Sequence, residues 1–460
     1  MTTGRPSSSH TARIIALAWP ILIGQLAVIT NGVLDTAMTS RFSTTDLAAL
    51  ALGASIYVSI FVGLSGVLQA LAPIIGQLFG AKRHAEIGAE VKQGIWLAIF
   101  LSVIGCAALL FPQPFLWLAR ASPELSEKVT MYLRVLALAV PATLGFRIYS
   151  SLNQAMARPK MVMAIQIVAL GLKVPLNALF IFGGFGIPAL GGPGCAIATA
   201  ITAWLMLAVG WGILRTRPQY RNLGLFGAGW VAPKWHSQRV LLLLGIPMGL
   251  SYLIEVTAFT FMAVFITRLG DAAVGGHQIT ANFGTVLYML PLSIANATGT
   301  LVAQAIGARR LDQARRIGRA GIFLAAGSAA SVGIIVWLLR DEIVNAYTPN
   351  QAIAASALPL FVFIAFYQLF DAVQVTTAFV LRAYKVAVVP TVIYAFGLWG
   401  AGLGGGYVLG LDPFGWSPEG VRGAAGFWLG NSLSLGLVAI GLLWYLQRIQ
   451  QRVVREESGM

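Results

Sequence analysis

Charged residues are scarce in this sequence. Asp, Glu, Lys and Arg together make up 10% of its 460 residues, whereas 57% of the residues are hydrophobic. A soluble globular protein usually carries about 25% charged residues, and the mean hydropathy here is +0.78. The composition excludes a soluble globular fold and predicts a polytopic membrane protein.

Cysteine and histidine are too few to indicate a metal centre or a disulfide framework. Cys106 and Cys195 both lie in apolar runs, where a free cysteine packs as a small apolar residue. The four histidines lack the spacing of metal ligands: His10, His84, His236 and His277. We therefore expect no metal centre, no cofactor and no enzymatic activity.

Acidic residues number 16 against 31 Lys and Arg, which gives a net charge of +15. Such an excess can indicate nucleic-acid binding. Here, however, the basic residues concentrate in short loops on the side of the apolar runs that carries the N-terminus, among them Lys92, Arg382 and Lys385. That distribution is typical of cytoplasmic loops in a membrane protein. We expect no nucleic-acid partner and both termini in the cytoplasm. The polar segment Met1 to His10 also predicts no cleavable signal peptide.

The apolar runs predict twelve membrane-spanning helices, because about 20 residues rising 1.5 Å each cross a bilayer. We place these spans at 14–38, 47–72, 93–112, 129–151, 161–183, 192–214, 240–266, 273–305, 318–339, 352–380, 386–410 and 424–446. The predicted fold class is an all-α polytopic membrane protein.

The two halves of the sequence repeat each other. Pro20 and Pro247 lie 227 residues apart, and so do Gln77 and Gln304, each of which opens a Gln-x-x-Gly-Ala segment. Landmarks that recur in order at one offset indicate an internal duplication. An even number of spans per half makes both halves enter the membrane from the same side. This predicts two pseudo-symmetric lobes with a substrate site near the middle of the membrane.

A polar interval rich in proline and glycine separates the halves between Arg215 and Arg239. Its composition is typical of a linker and not of a folded domain. We therefore expect an N-terminal lobe of six transmembrane helices at 1–222, a cytoplasmic linker at 223–238 and a C-terminal lobe of six transmembrane helices at 239–460.

Three carboxylates, Asp35, Glu255 and Asp371, lie well inside the predicted spans. Because the hydrocarbon strongly disfavours a charge, acids at such depth are usually functional. A carboxylate there can exchange a proton, Na⁺ or an organic cation, which is the minimum chemistry of a cation antiporter. The structural alternative is that they pair with Arg147 or Lys173, the two basic residues inside spans, merely to hold helices together.

Polar residues stand one helical turn from these acids or from each other. Asn31 and Tyr367 each precede one of the acids by four residues, and Gln278 precedes Asn282 at the same spacing. An apolar cavity with a few amides, aromatics and acids suits lipophilic cations through charge and cation–π contacts. For Gln278 and Asn282, interhelical hydrogen bonding is an equal alternative.

The motifs together resemble the multidrug and toxic compound extrusion (MATE) family, NorM-like branch, over all twelve spans. They are Trp19-Pro20 with Asp35, Gly76-Gln-x-x-Gly80-Ala, Pro175-Leu-Asn177, His277-Gln278-Ile-x-x-Asn282 and Gln304-x-x-Gly307-Ala. The resemblance implies a secondary transporter of the bacterial inner membrane, with two six-helix lobes. It implies efflux of small cationic, often aromatic drugs or toxic compounds, driven by an inward gradient of H⁺ or Na⁺, with the lipid bilayer as the other partner. We expect a monomer.

The resemblance also implies roles for individual residues. It assigns proton or cation coupling to Asp35, polar support to Asn177 and Thr199, and a second cation site to Glu255, Tyr367 and Asp371.

Lys173 departs from the family pattern, because it stands four residues before Asn177, where an amide is common. A lysine near Asp35 would repel Na⁺ and could pair with the carboxylate directly. We therefore hypothesise that a Na⁺ site in the first lobe is impaired and that H⁺ coupling is favoured over Na⁺. If Lys173 points away from Asp35, this argument lapses.

Pro20 and Pro247 each interrupt the first span of a half. Proline removes a backbone donor and bends or loosens a helix. We hypothesise that Pro20 lets span 1 bend when Asp35 changes protonation, and the recurrence at Pro247 makes both prolines candidate bending points.

Other function classes are less well supported. A flippase or exporter of lipid-linked or other metabolites, from the same wider superfamily, would favour a broad basic cavity for anionic substrates, which the three acids would repel. A channel or a membrane-embedded enzyme would need a repeated filter-like segment or a metal-type cluster, and the sequence contains neither.

Overall fold

The computed structural model describes residues 9–119, 122–226, 229 and 231–458. Within that part of the chain the secondary structure is helical, apart from one isolated bridge between Gly184 and Ile187. The described residues contain 11 helices long and apolar enough to cross a membrane, or 12 spans if one bent pair counts as a span. The predicted all-α polytopic fold is confirmed. The outer ends of the two predicted lobes and linker residues 227, 228 and 230 lie outside the described residues.

The α-helices in chain order are α1 His10–Ser40, α2 Thr44–Leu68, α3 Leu71–Gly80, α4 His84–Leu110, α5 Gln113–Leu118, α6 Pro123–Ala137, α7 Val140–Ala155, α8 Pro159–Phe182, α9 Gly192–Thr216, α10 Trp235–Ile266, α11 Asp271–Gly307, α12 Leu311–Leu338, α13 Arg340–Tyr347, α14 Gln351–Ala357, α15 Leu360–Ala383, α16 Val388–Tyr394, α17 Gly405–Leu411 and α18 Ala424–Ser458. A π-helical segment, Ala395–Gly404, joins α16 to α17.

The fourth span is the bent pair, in which α6 and α7 meet at 46°. The break falls just before Pro141, which lies in the first turn of α7. A proline in the first turn needs no hydrogen-bond partner for its nitrogen, whereas in the middle of a helix it would interrupt the backbone ladder. The predicted span 129–151 is therefore two helices and not one.

The chain divides into two compact units. Unit 1 consists of Met1–Leu22 with Leu250–Met460, and unit 2 consists of Ile23–Gly249. Each boundary lies inside a long helix, α1 or α10, two residues after the proline that the helix contains. The lobe limits 1–222 and 239–460 stay a prediction.

In unit 1, α15 packs against α11, α12 and α18. The first turns of α1 belong to the same core, where Ile14, Ala18 and Ile21 are buried in one cluster with residues of α10 and α11. A polar side chain on the face of α15 that packs against these helices is removed from solvent and needs a partner.

In unit 2, α9 packs against α6, α7 and α8. The start of α10 lies very close to α2, because a Cβ on Gly245 would be 2.3 Å from the carbonyl oxygen of Val67. One turn later, a Cβ on Gly249 would be 2.6 Å from the carbonyl oxygen of Gly63. Glycine is required at both positions, since any side chain would separate the two helices.

The segment before α10 is held on α4. A Cβ on Gly88 of α4 would be 2.1 Å from the carbonyl oxygen of Leu223, so the chain lies directly on this helix. Side chains of α4 then bond the backbone further along: Lys92 Nζ to Gly229 O at 2.9 Å, Gln93 Nε2 to Ala232 O at 3.1 Å and Trp96 Nε1 to Val231 O at 2.9 Å. Lys92 is 8% exposed, so its prediction as a loop cation is wrong.

Candidate functional site

The first group of predicted residues meets in unit 2, between α1 and α8. Lys173 Nζ donates to Asp35 Oδ2 at 2.6 Å, and Asn177 Nδ2 donates to Asp35 Oδ1 at 2.7 Å. The side chains of Lys173 and Asp35 are 5% and 13% exposed. Lys173 and Asn177 are one turn apart and so face α1 together. The result is a nearly buried ion pair with a formal charge of zero.

Two further residues predicted for this group bond to their own helices. Asn31 Nδ2 donates to Ala27 O at 3.1 Å, and Thr199 Oγ1 donates to Cys195 O at 3.0 Å. The amide oxygens of Asn31 and Asn177 are buried and have no hydrogen-bond partner within the described residues. Both oxygens can accept a hydrogen bond or a cation. Neutral acceptors therefore lie on the helices that carry the ion pair.

The second group meets in unit 1. Asp371 on α15 is 1% exposed, and Glu255 on α10 interacts electrostatically with it. Gln374 Nε2 donates to Asp371 Oδ1 at 2.7 Å, and the hydroxyl of Tyr394 donates to Gln374 Oε1. One acid is thus fixed at the end of a hydrogen-bonded chain, with the other acid nearby.

Arg382 belongs to this second group. Its prediction as a loop cation is wrong, because α15 continues to Ala383 and the Arg382 side chain is buried, 7% exposed. Arg382 Nη1 donates to the hydroxyl of Tyr252 at 3.0 Å, and the guanidinium lies 4.9 Å from the Tyr252 ring and 4.7 Å from the Phe379 ring. It interacts electrostatically with Glu255. The second group therefore contains two acids and one cation.

An aromatic wall stands beside the acids of unit 1. Tyr367 lies one turn before Asp371 and is 7% exposed. Its ring meets the Phe259 ring edge-on at 5.8 Å and the Trp428 ring edge-on at 5.6 Å. Rings of this kind can contact a cation or an aromatic drug if the wall opens.

Gln278 and Asn282 lie on the surface of unit 1. Gln278 Nε2 donates to Asn282 Oδ1 at 3.2 Å along the same helix, α11. This bond is intrahelical, in contrast to the interhelical bonding considered as their structural alternative. Their cavity role stays a prediction.

Pro20 and Pro247 lie inside α1 and α10, which continue through them as single helices. The bending of α1 and α10 at these prolines during transport stays a prediction.

A large apolar cavity of about 870 Å³ lies in unit 2, between α4, α7 and α9. Its lining, taken over the described residues, includes Ile99, Val103, Trp204 and Trp211 but none of the predicted coupling residues. The predicted cavity lined by acids and amides stays a prediction.

The family model for MatE matches this chain twice, at residues 20–179 and 247–408. The chain belongs to the MatE family. This confirms the resemblance to multidrug and toxic compound extrusion proteins. The two matched segments begin at Pro20 and Pro247, so the family unit recurs at the offset of the sequence landmarks.

Full-length relatives place this MatE protein in the NorM-like branch. A probable multidrug resistance protein NorM from Aromatoleum aromaticum is 40% identical over 449 residues, covering 97% of this chain and 96% of that protein. The multidrug resistance protein MdtK from Photorhabdus laumondii is 35% identical over 436 residues, covering 93% of each.

Solved structures support the fold of this MatE protein. The eukaryotic MATE transporter AtDTX14 superimposes with a TM-score of 0.82 at 18% identity, covering 96% of this chain and 99% of that one. The Vibrio cholerae MATE transporter VcmN in its bent form gives a TM-score of 0.84 at 18% identity, covering 97% and 98%. At this identity the likeness shows the fold alone.

Proposed function

We propose that this MatE protein is a secondary multidrug efflux antiporter. It exports lipophilic organic cations in exchange for H⁺ or Na⁺, with H⁺ favoured, by alternating access. The observation that carries the proposal is that each unit holds carboxylates among polar partners inside its helices: Asp35, 13% exposed, in one, and Glu255 with Asp371, the latter 1% exposed, in the other. Burial lets such groups gain or lose a cation in step with a conformational change. The names of the NorM and MdtK relatives, multidrug resistance proteins, support the same substrate class.

In unit 2, the contact between Lys173 and Asp35 supports H⁺ over Na⁺ at this carboxylate. Lys173 Nζ occupies Asp35 Oδ2 at 2.6 Å, which is a place that Na⁺ would need. Protonation of Asp35 would remove the negative charge of the ion pair and leave Lys173 as a buried cation without a counter-charge. That state costs several kcal/mol unless the lysine moves or loses its own proton. Protonation of Asp35 and displacement of Lys173 are therefore linked in the mechanism.

In unit 1, Glu255 and Asp371 are close enough to repel each other when both are ionised. Sharing one proton or one cation relieves that repulsion. Tyr367 lies one turn from Asp371 and supplies the aromatic face for an organic cation. Coupling follows because drug and coupling ion compete for the same negative charge.

The remaining predicted residues have supporting roles in the proposal. Asn31, Asn177 and Thr199 supply neutral polar groups near Asp35, Gln278 and Asn282 line the substrate cavity, and Pro20 and Pro247 are the bending points. The protein acts as a monomer in the bacterial inner membrane, with cytoplasmic termini and lobes at 1–222 and 239–460 joined by the linker at 223–238. An anion flippase is disfavoured, because Lys173 and Arg382, the buried cations nearest the acids, already interact with carboxylates.

Drug/ion exchange in everted membrane vesicles tests the proposal. Adding a lipophilic organic cation to vesicles with an acidic interior should release the pH gradient, both with and without Na⁺. Asp35→Asn should abolish the response, whereas Asp271→Asn, the same change at an exposed acid, should retain it. Absence of any ion-driven exchange by the wild type would refute the antiporter, and an absolute Na⁺ requirement would refute the preference for H⁺.

A further inference from the structure

The loop that joins α8 to α9 presents an exposed aromatic residue at its tip. Gly184 and Ile187 exchange two backbone hydrogen bonds, at 3.0 and 2.9 Å, across a two-residue turn formed by Phe185 and Gly186. The end of the loop bonds back to the last turn of α8, which fixes the loop in place. The side chain of Phe185 is fully exposed, so it projects from a turn whose backbone is held on both sides.

Phe185 occupies a backbone conformation that does not suit a bulky residue. Its φ is +49°, and that of Gly186 is +84°. A turn with positive φ at both central residues favours Asn-Gly, Asp-Gly or Gly-Gly, and a large side chain at the first of them is an outlier. Because the exposed ring does not pack within the protein, the strain indicates a role for Phe185 outside the protein.

Other tight turns of the chain have a charged residue in the same conformation. Lys82, between α3 and α4, has a φ of +59°, Arg309, between α11 and α12, has a φ of +56°, and Lys385, after α15, has a φ of +60°. All three are exposed. A positive φ at a turn therefore does not by itself require an aromatic residue, and Phe185 needs a separate explanation.

The whole loop around Phe185 lacks polar side chains. Residues 183–191 are Gly, Gly, Phe, Gly, Ile, Pro, Ala, Leu and Gly. Turns that face water are usually rich in Asn, Asp and Ser as well as glycine and proline. This loop joins two helices that are long and apolar enough to cross a membrane, so it lies at a membrane boundary. Its composition suits lipid better than water.

The other repeat has a phenylalanine at the corresponding position. Phe414 lies 229 residues after Phe185, and the same offset separates Gly191 from Gly420. Each phenylalanine is followed by a glycine whose φ is positive. The loop that contains Phe414 also joins two helices long and apolar enough to cross a membrane. An exposed aromatic tip is therefore a feature of the repeat and not of one loop.

In unit 1 the tip is an aromatic pair. Phe414 and Trp416 are 59% and 78% exposed, and their rings lie 5.1 Å apart. Arg422 Nη2 lies 2.8 Å from Asp412 Oδ2, and this ion pair ties the two ends of the loop together. Asp412 Oδ1 also accepts a hydrogen bond from Ser417 N at 2.9 Å. The loop is thus held closed by its polar groups while its aromatic side chains stay exposed.

We propose that these two tips, Phe185 in unit 2 and Phe414 with Trp416 in unit 1, are anchors that insert into the boundary between lipid headgroups and acyl chains. Aromatic residues are enriched at that boundary, and the apolar side of an interfacial segment reaches about 5–10 Å into it. Trp416 suits the boundary because its ring is apolar and its N–H can bond a headgroup. Transfer of the Phe185 ring from water to lipid offsets the strain of its turn. The inference concerns how each repeat is held in the bilayer and goes beyond the proposed transport function.

Depth-dependent fluorescence quenching in lipid nanodiscs tests the anchors. Cys106 and Cys195 are first replaced by alanine, and a single cysteine is then introduced as Phe185→Cys, Phe414→Cys or Lys82→Cys. Lys82 is the matched control for Phe185, because it is exposed in the same unit with a similar φ. Each cysteine is labelled with an environment-sensitive fluorophore. The nanodisc lipids carry a spin label at the headgroup, near the top of the acyl chain or near its end, and iodide serves as the quencher in water.

The labels at positions 185 and 414 should emit at shorter wavelength than the label at position 82. They should lose most fluorescence to the spin label near the top of the acyl chain and little to iodide. The label at position 82 should show the reverse, with strong quenching by iodide. Thermal unfolding of each labelled protein shows whether it is folded, and the two tips give independent measurements if one variant does not fold.

Two results would overturn the inference. Labels at the tips that are quenched by iodide and by no spin-labelled lipid would mean that the tips face water. Labels shielded from both kinds of quencher would mean that protein covers the tips, for example a second copy of this chain. Neither measurement depends on drug exchange, so failure of the anchors and failure of the proposed function are distinguishable.

Discussion

The two repeats use a buried cation in opposite ways. In unit 2, Lys173 contacts Asp35 directly at 2.6 Å, and the pair is neutral. In unit 1, Arg382 donates to Tyr252 at 3.0 Å and interacts electrostatically with Glu255, and Glu255, Asp371 and Arg382 together have a formal charge of −1. Duplication preserved the helices, whereas the acids and cations now occupy positions that do not correspond. The comparison teaches that one scaffold can hold a carboxylate in a neutral ion pair, called the locked pair below, in one repeat. In the other repeat it holds a group of acids that keeps a net negative charge.

The largest effect is expected from Asp35→Asn, which breaks the locked pair. Exchange should fall to the background of vesicles without the protein. The purified protein should lose about 3 kcal/mol of stability or more, because Lys173 is left as a buried unpaired charge. Thermal unfolding in detergent measures the second effect. The double variant Asp35→Asn with Lys173→Asn should recover stability but not exchange. If Asp35→Asn alone is as stable as the wild type, the ion pair does not stabilise the fold and the prediction is wrong.

Asp371→Asn should abolish ion coupling with a much smaller loss of stability. An asparagine carbonyl can still accept the hydrogen bond from Gln374, so the cost should be about 1 kcal/mol. Thermal unfolding and drug exchange are measured on the same preparation. If Asp371→Asn proves as unstable as Asp35→Asn, the two acids are equally locked and the contrast between the repeats disappears.

Lys173→Asn makes unit 2 resemble the family pattern, with an amide one turn before Asn177. Removing the lysine frees Asp35 Oδ2 and places amide oxygens around the carboxylate. Na⁺ should then stimulate exchange, with apparent binding about tenfold stronger than in the wild type. A Na⁺ titration of the variant and the wild type at fixed pH decides the point. An unchanged response would show that Lys173 does not exclude Na⁺.

The smallest effect is expected from Tyr394→Phe, which removes one donor from the chain that ends on Asp371. The loss of the hydrogen bond to Gln374 should cost about 1 kcal/mol of stability. Exchange should remain, with only a modest change in its pH midpoint, because Gln374 still holds the carboxylate. Thermal unfolding and a pH series provide the measurements, and complete loss of exchange would place Tyr394 within the coupling machinery itself.

The spans, the repeat and the three acids inside the spans could be predicted from the sequence because each depends on local hydropathy or a fixed offset. The contact between Lys173 and Asp35 could only be posed as one of two alternatives. It depends on how α8 is rotated towards α1, and no local pattern fixes that rotation. The π-helical segment Ala395–Gly404 likewise has no periodicity that distinguishes it from an apolar α-helix.

Arg382 was missed because its neighbour Lys385 and its position at a span end indicate a loop. Two spacings in the sequence could have indicated its position: Arg382 follows Asp371 by 11 residues, and Tyr252 precedes Glu255 by three. Both are helical spacings, but they carry information only once α15 is known to continue to Ala383 and to pack against α11, α12 and α18. Burial of a basic side chain is a property of tertiary packing.

The docking of the segment before α10 onto α4 has a consequence for chain engineering. The composition of this segment predicts a flexible linker. In the structure, hydrogen bonds from Lys92, Gln93 and Trp96 fix its backbone on α4. An insertion of a reporter domain beside Gln219 would interrupt the 3₁₀ helix Pro218–Leu223 and displace the buried Tyr220, whose hydroxyl donates to Asn153 Oδ1. The same insertion after Val231 would move Ala232 away from Gln93 and detach the start of α10 from its support. The described residues between α9 and α10 are therefore bonded to neighbouring helices near both ends, and an insertion at either end is expected to break such a contact.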